Sequence, residues 1–171
     1  MTSSLTTYSQ QKDADSQSKM DVFASATGSI IKYLDYNLES LGSSYGIAET
    51  RIRKINAKGE SQVFLQITRE TKYGEKKASI AYEDLLEIIK AMPKLKLDAQ
   101  SDMATDADYV ENKFVTDDGF QVGYYVSSGK VKWYLVLEKY GSNNTFFLND
   151  VISAESLFNR AKIKMEELSK S

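Results

Sequence analysis

Lys130-Val131-Lys132-Trp133-Tyr134-Leu135-Val136-Leu137-Glu138-Lys139-Tyr140-Gly141 is the stretch on which the fold turns. From Lys130 to Glu138 it alternates strictly. Val131, Trp133, Leu135 and Leu137 fall on one side, and Lys132, Tyr134, Val136 and Glu138 on the other. A period of two is the mark of a strand with one face in a core. Lys139-Tyr140-Gly141 then ends it in a turn.

The pattern extends in both directions. Upstream lie a turn at Ser127-Ser128-Gly129, a strand over Phe120–Val126, a tight hairpin turn at Asp117-Asp118-Gly119 and a short strand over Lys113–Thr116. Downstream, Thr145–Leu148 reads as a strand. Asn149 or Asp150 then caps a long helix that buries Ala154, Leu157, Phe158, Ala161, Met165 and Leu168. The half before residue 97 repeats this plan. Ile47–Ile55, Ser61–Glu70 and Lys77–Tyr82 read as strands, separated by turns at Ala57-Lys58-Gly59 and Lys72-Tyr73-Gly74. Leu85, Leu86, Ile88, Ile89 and Met92 form the apolar stripe of a helix that Pro93 is expected to end or kink.

A Lys-Tyr-Gly turn follows the matching segments Phe64–Ile67 and Tyr134–Leu137 in both halves. This predicts an α+β fold of two tandem β-β-β-α pseudo-repeats, forming antiparallel sheet packed by two amphipathic helices. The predicted organisation is a flexible polar arm over residues 1–19 and a single α+β domain over 20–171. Within that domain the first repeat spans about 45–96, an acidic connector about 97–111, and the second repeat about 112–171. Val22–Ala24 suits a short strand. Residues 29–41 satisfy both periods: Ile30, Ile31, Leu34, Leu38 and Leu41 fall at helical spacing, while Ile30, Ile31, Tyr33 and Tyr36 favour strand. The resulting plan resembles in outline the PUR-repeat and Whirly single-strand-binding families. That likeness lies in the fold plan, and no residue of a family motif carries over.

Composition narrows the chemistry. The chain has no histidine among its 171 residues and no cysteine, which excludes imidazole-based triads, thiol nucleophiles, disulfides and the usual zinc sites. Neither a phosphate loop, a dinucleotide fingerprint nor a nucleophile elbow is present. No catalytic residue, metal site or cofactor is therefore expected, and an enzyme would have to rely on carboxylate, lysine or tyrosine chemistry. Asp102, Asp106, Asp108 and Glu111 lack the spacing of a calcium loop. Net charge −2, pI near 5.3 and mean hydropathy −0.42 give no overall pull toward nucleic acid, and no apolar run is long enough to span a membrane. Thr7-Tyr8-Ser9 before Gln10-Gln11 resembles the end of a signal peptide, although no basic or apolar region precedes it. The reading leans slightly toward export, with the cytoplasm as the alternative.

Charge is segregated: Tyr45–Lys96 carries eleven basic against seven acidic residues, and Leu97–Asp118 seven acidic against one basic. Two surfaces follow. Arg51, Arg53, Arg69 and Lys72 mark a basic face on the first repeat that suits the phosphates of single-stranded nucleic acid. Interleaved Glu49, Glu60, Glu70 and Glu75 favour the plainer view of a charged outer face. Tyr125 and Tyr134, on the side opposite Trp133, together with Tyr140 and Tyr73, mark an aromatic contact surface; cross-strand pairs that only stabilise a sheet are the plainer view here too. The expected function is a non-enzymatic binding module whose partner is a protein or a small ligand. A single-stranded nucleic-acid binder and a small acid–base enzyme are the alternatives.

Overall fold

A computed structural model describes residues 17–171. Most of the predicted polar arm, including Thr7-Tyr8-Ser9, lies outside the described residues. The end of that arm is structured: α1 (Lys19–Phe23) starts at Ser18, whose side chain accepts from the Asp21 amide while the Asp21 carboxylate accepts from the Ser18 amide. This reciprocal capping box nucleates a helix where a strand was expected at Val22–Ala24. Met20 and Phe23 then seat α1 on Ile55, Phe64 and Ala81.

Two four-stranded antiparallel sheets follow, each a simple meander. The first comprises β1 (Ile31–Ser43), β2 (Gly46–Ala57), β3 (Glu60–Thr71) and β4 (Gly74–Ala81), and leads into α2 (Tyr82–Asp102). The second comprises β5 (Tyr109–Val115), β6 (Gln121–Ser127), β7 (Lys130–Val136) and β8 (Thr145–Phe147), and leads into α3 (Val151–Ser169). The second half has the four strands read from its sequence, the first has one more than the three read there, and the two meanders form separate sheets.

The added strand in the first half is β1, which settles residues 29–41. Leu34, Tyr36 and Leu38 share a face at period two. A bulge between Leu38 and Leu41 then inserts a residue before Leu41. That irregularity turned a strand pattern into one with helical spacing. The β2–β3 and β6–β7 turns are alike in backbone: Lys58-Gly59 at φ 52° and 76°, Ser128-Gly129 at φ 53° and 72°. Two successive residues at positive φ form the hairpin turn whose twist matches that of its strands.

α2 runs through Pro93 to Asp102, so Pro93 does not end the helix. A proline inside a helix costs about 3 kcal/mol. Met92, Leu95 and Ala99, all buried, continue the apolar stripe past it, and burying even one large apolar side chain contributes about 1.5–3 kcal/mol. The acidic connector contracts accordingly, because its first residues end α2 and its last begin β5. Asp98 accepts from Lys94 and Asn112, and Asp102 from the Tyr124 hydroxyl. Burial, then that bond to Asp102, pushes the Tyr124 pKa up to about 12.

The helices interlock the halves. α3 packs across β1, β2 and β3 of the first sheet, whereas α2 lies against β5 and β6 as well as β3 and β4. One apolar core therefore joins Ile52, Leu65 and Ile80 of the first sheet to Val122, Leu135 and Phe146 of the second, through Ile88, Met92, Phe158 and Met165. Lys54, on the core side of β2, ends at α3: its ammonium donates to the Leu168 and Ser171 carbonyls, each at 3.0 Å. No helix of the described residues is long and apolar enough to cross a membrane.

Candidate functional site

The sheet faces turned away from the core carry half of the residues singled out by sequence: Tyr125 and Tyr134 on the second sheet, Arg51 and Arg53 on the first. On the second sheet, alternation places Tyr109, Glu111 and Lys113 of β5, Tyr125 of β6, Lys132 and Tyr134 of β7, and Phe147 of β8 on this outer side. Tyr125 occupies its middle. The Tyr109 ring stacks on it at 5.8 Å between centroids, and Phe147 meets it edge-on at 6.4 Å. Tyr109 is 55% exposed, while Tyr125 and Phe147 are half-buried.

Tyr134 lies on the same face but is only 5% exposed. Opposite it on β6 stands Gly123, where a Cβ would come within 2.5 Å of the Asn112 carbonyl oxygen and 2.6 Å of Lys113 Cβ. β5 and β6 thus approach closely at this point. The Tyr134 hydroxyl reaches β5, donating to Glu111 at 2.6 Å, and Tyr109 donates to the other carboxylate oxygen at 2.9 Å. Those two bonds, Tyr134's first, hold the Glu111 carboxyl below its ordinary pKa, with Lys113 at 3.4 Å adding to them. Burial and Glu111 in turn raise Tyr134 well above the ordinary tyrosine value. Glu111 thereby ties Tyr109 and Tyr134 together on this face.

Tyr140 and Tyr73 are not part of this strip. Both sit on turns beside a lysine: Lys139 is 5.4 Å from the Tyr140 ring and Lys72 is 5.0 Å from the Tyr73 ring. Tyr109 and Phe147 belong to the strip but were not among the predicted residues. Tyr109 stood inside the supposed connector, and β8 is too short for its alternation to show.

The predicted basic set separates. Arg51 and Arg53 lie on the outer face of the first sheet, at 3.3 and 2.7 Å from Asp35. The Arg53 hydrogen bond, opposed by partial burial, keeps the Asp35 pKa below its ordinary value. Arg69 donates to the Thr145 carbonyl at 2.7 Å and covers the Phe146 ring, fastening one sheet to the other. Lys72 stays on its turn. Lys76 and Lys77, next to this set, pair with Glu138 and Glu75.

A cleft of about 430 Å³ opens between α1, β4 and the turns around Asp118 and Tyr140. Glu138 in its wall accepts from the Lys77 amide at 3.0 Å, covering part of the β4 edge. At its margin Lys19 anchors α1, with its ammonium 2.8 and 2.9 Å from the buried Asp84 carboxylate and its amide donating to Asp118. Among the described residues no three acidic side chains converge as a metal-ion site. Comparison of the chain with protein-family models, with curated proteins and with solved structures finds no match.

Proposed function

We propose that this protein is a non-enzymatic binding module whose contact surface is the outer face of the second sheet. The observation that carries this reading is the Tyr109–Tyr125–Phe147 strip, with Tyr109 exposed and the other two rings half-buried, fixed in place by ring contacts and by the Glu111 hub. Tyrosine on a rigid strand offers a large amphipathic contact area at little cost in side-chain entropy, as residues that dominate binding energy commonly do.

The acid–base alternative gains little. The tyrosine–carboxylate pairs at Tyr134–Glu111 and Tyr124–Asp102 push tyrosine upward, away from the near-neutral pKa that proton transfer favours. Nucleic-acid binding through the first repeat loses support as well, because Arg51, Arg53, Arg69, Lys76 and Lys77 each hold a partner within the chain. We also read the two halves as a duplicated unit, on the strength of their shared order of elements and the matching turn dihedrals.

The reading is tested by titrating ¹⁵N-labelled protein with an oligothymidine, an oligosaccharide, a proline-rich peptide and an acidic helical peptide. At least one should shift the amides of Tyr109, Tyr125 and Phe147, and Tyr125→Ala should abolish the shift. Four probes that leave those amides unmoved would refute it.

A further inference from the structure

The two sheets can be superposed residue by residue from their registers. Counting from the β2–β3 and β6–β7 turns, Ile55 corresponds to Tyr125, Phe64 to Tyr134 and Arg53 to Gly123. Across the neighbouring strands, Ile31 corresponds to Tyr109 and Ala81 to Phe147. The first members of four of these pairs, Ile31, Ile55, Phe64 and Ala81, form the apolar patch on which Met20, Phe23 and Ala24 of the α1 segment sit. The open aromatic strip therefore occupies the position on the second sheet that a helix covers on the first.

Resting on the binding-module reading above, we infer that this strip is the docking site for a short acidic amphipathic helix of another polypeptide, seated as α1 is seated on the first sheet. The apolar requirement comes from α1 itself, which presents Met20 and Phe23 three residues apart, the spacing that puts two side chains on one helical face. The acidic requirement comes from charge. Lys113, Lys130 and Lys132 border the strip where Asp35, Glu60 and Gln62 stand in the first sheet. Glu111, the carboxylate within the strip, already accepts from two tyrosines and pairs with Lys113. Lys113 pairs with Glu111 and Lys132 donates to the Leu148 carbonyl at 3.3 Å, so the exposed Lys130 carries most of the charge that carboxylates on the edge of an incoming helix would meet. A second copy's α1 fits less well, since it carries one lysine and one aspartate and is already fastened to its own chain through Lys19 and Asp84.

The probe is a stapled helical peptide with Met and Phe three residues apart on one face and glutamates on the other, added to ¹⁵N-labelled full-length chain. The amides of Tyr109, Tyr125, Lys132 and Phe147 should shift together. Tyr125→Ala should weaken binding about tenfold or more, and Lys130→Glu, at the exposed start of β7, severalfold, with the fold of each variant checked by its thermal transition. Shifts confined to Ile55, Phe64 and Ala81 would mean that the peptide only displaces α1, and would overturn the inference. So would an oligothymidine or proline-rich peptide that moves the strip while the helical peptide does not, an outcome that leaves the binding-module reading standing. If no probe moves the strip, both fall.

Discussion

Changing Tyr134 to Phe deletes one oxygen and leaves the ring in place. That oxygen donates to Glu111 at 2.6 Å from a side chain 5% exposed. A hydrogen bond to a charged group contributes roughly 1.5–3 kcal/mol. Here the Glu111 side chain is 35% exposed and keeps the Tyr109 hydroxyl and the Lys113 ammonium, so the low end applies. The expected loss is about 1.5 kcal/mol, close to tenfold in the folding equilibrium. For a chain of this size that lowers Tm by about 3–6 °C. The sign of the pH dependence follows from Glu111, whose folded pKa is lowered, chiefly by Tyr134 and next by Tyr109. A depressed carboxylate contributes its stability above its unfolded pKa and loses it as pH falls through the folded one. The gap between wild type and Tyr134→Phe should therefore be widest near neutral pH. Below about pH 4 it should narrow toward the roughly 0.5–1 kcal/mol of a neutral hydrogen bond. Urea unfolding followed by circular dichroism, at about pH 7 and about pH 3, measures both values. Equal stability at neutral pH, or a gap that acid leaves unchanged, would refute the role given to Glu111.

Two further substitutions test how the segments are tied together. Lys54→Met keeps the apolar stem but removes the ammonium from the last carbonyls of α3; it should cost about 1–2 kcal/mol in guanidinium unfolding and speed amide exchange at the end of that helix. Lys19→Met leaves the buried Asp84 carboxylate without its ammonium, with an expected loss of about 1–3 kcal/mol near neutral pH. Because burial already raises the Asp84 pKa, the variant should regain stability as pH falls and that group takes up its proton, and amide exchange over residues 19–23 should follow the same course.

How much of this was legible beforehand depended on the length of each pattern. β7 was read correctly because seven residues of unbroken alternation leave no other interpretation, and Val131, Trp133 and Leu135 do face the core. β1 was not, since its bulge broke the period just where the decision lay. Pro93 does not end α2 because its local cost is outweighed by packing on both sides of it, which the residue alone does not reveal. The capping box at Ser18 and Asp21 was present in the sequence, but a helix of five residues leaves almost no periodicity to notice. Which sheet each helix covers was not legible at all. An amphipathic stripe specifies that a face is buried and leaves its partner open, so the interlocking of α2 and α3 is a property of the assembled core. The same limit applied to the strip: Tyr125 could be placed on an outer face, but its contact with Tyr109 and Phe147 needed the register of four strands.

The asymmetry between the halves thus acquires a different meaning from the one that charge and aromatic counts first gave it. It lies between two patches that correspond in register, one on each sheet. Under α1 the first sheet presents Ile31, Ile55, Phe64 and Ala81, side chains that gain from permanent removal from water. At the same places the second sheet presents Tyr109, Tyr125, Tyr134 and Phe147, and two of the three hydroxyls are held by Glu111. Aliphatic residues in an open seat would expose an apolar patch at all times, with the risk of nonspecific association. Tyrosines tolerate water when the seat is empty and still offer ring area when it is filled. If the second sheet takes the proposed helix, tyrosine at the positions matched to Ile31, Ile55 and Phe64 would suit it to cover that comes and goes, while α1 covers the first sheet constantly.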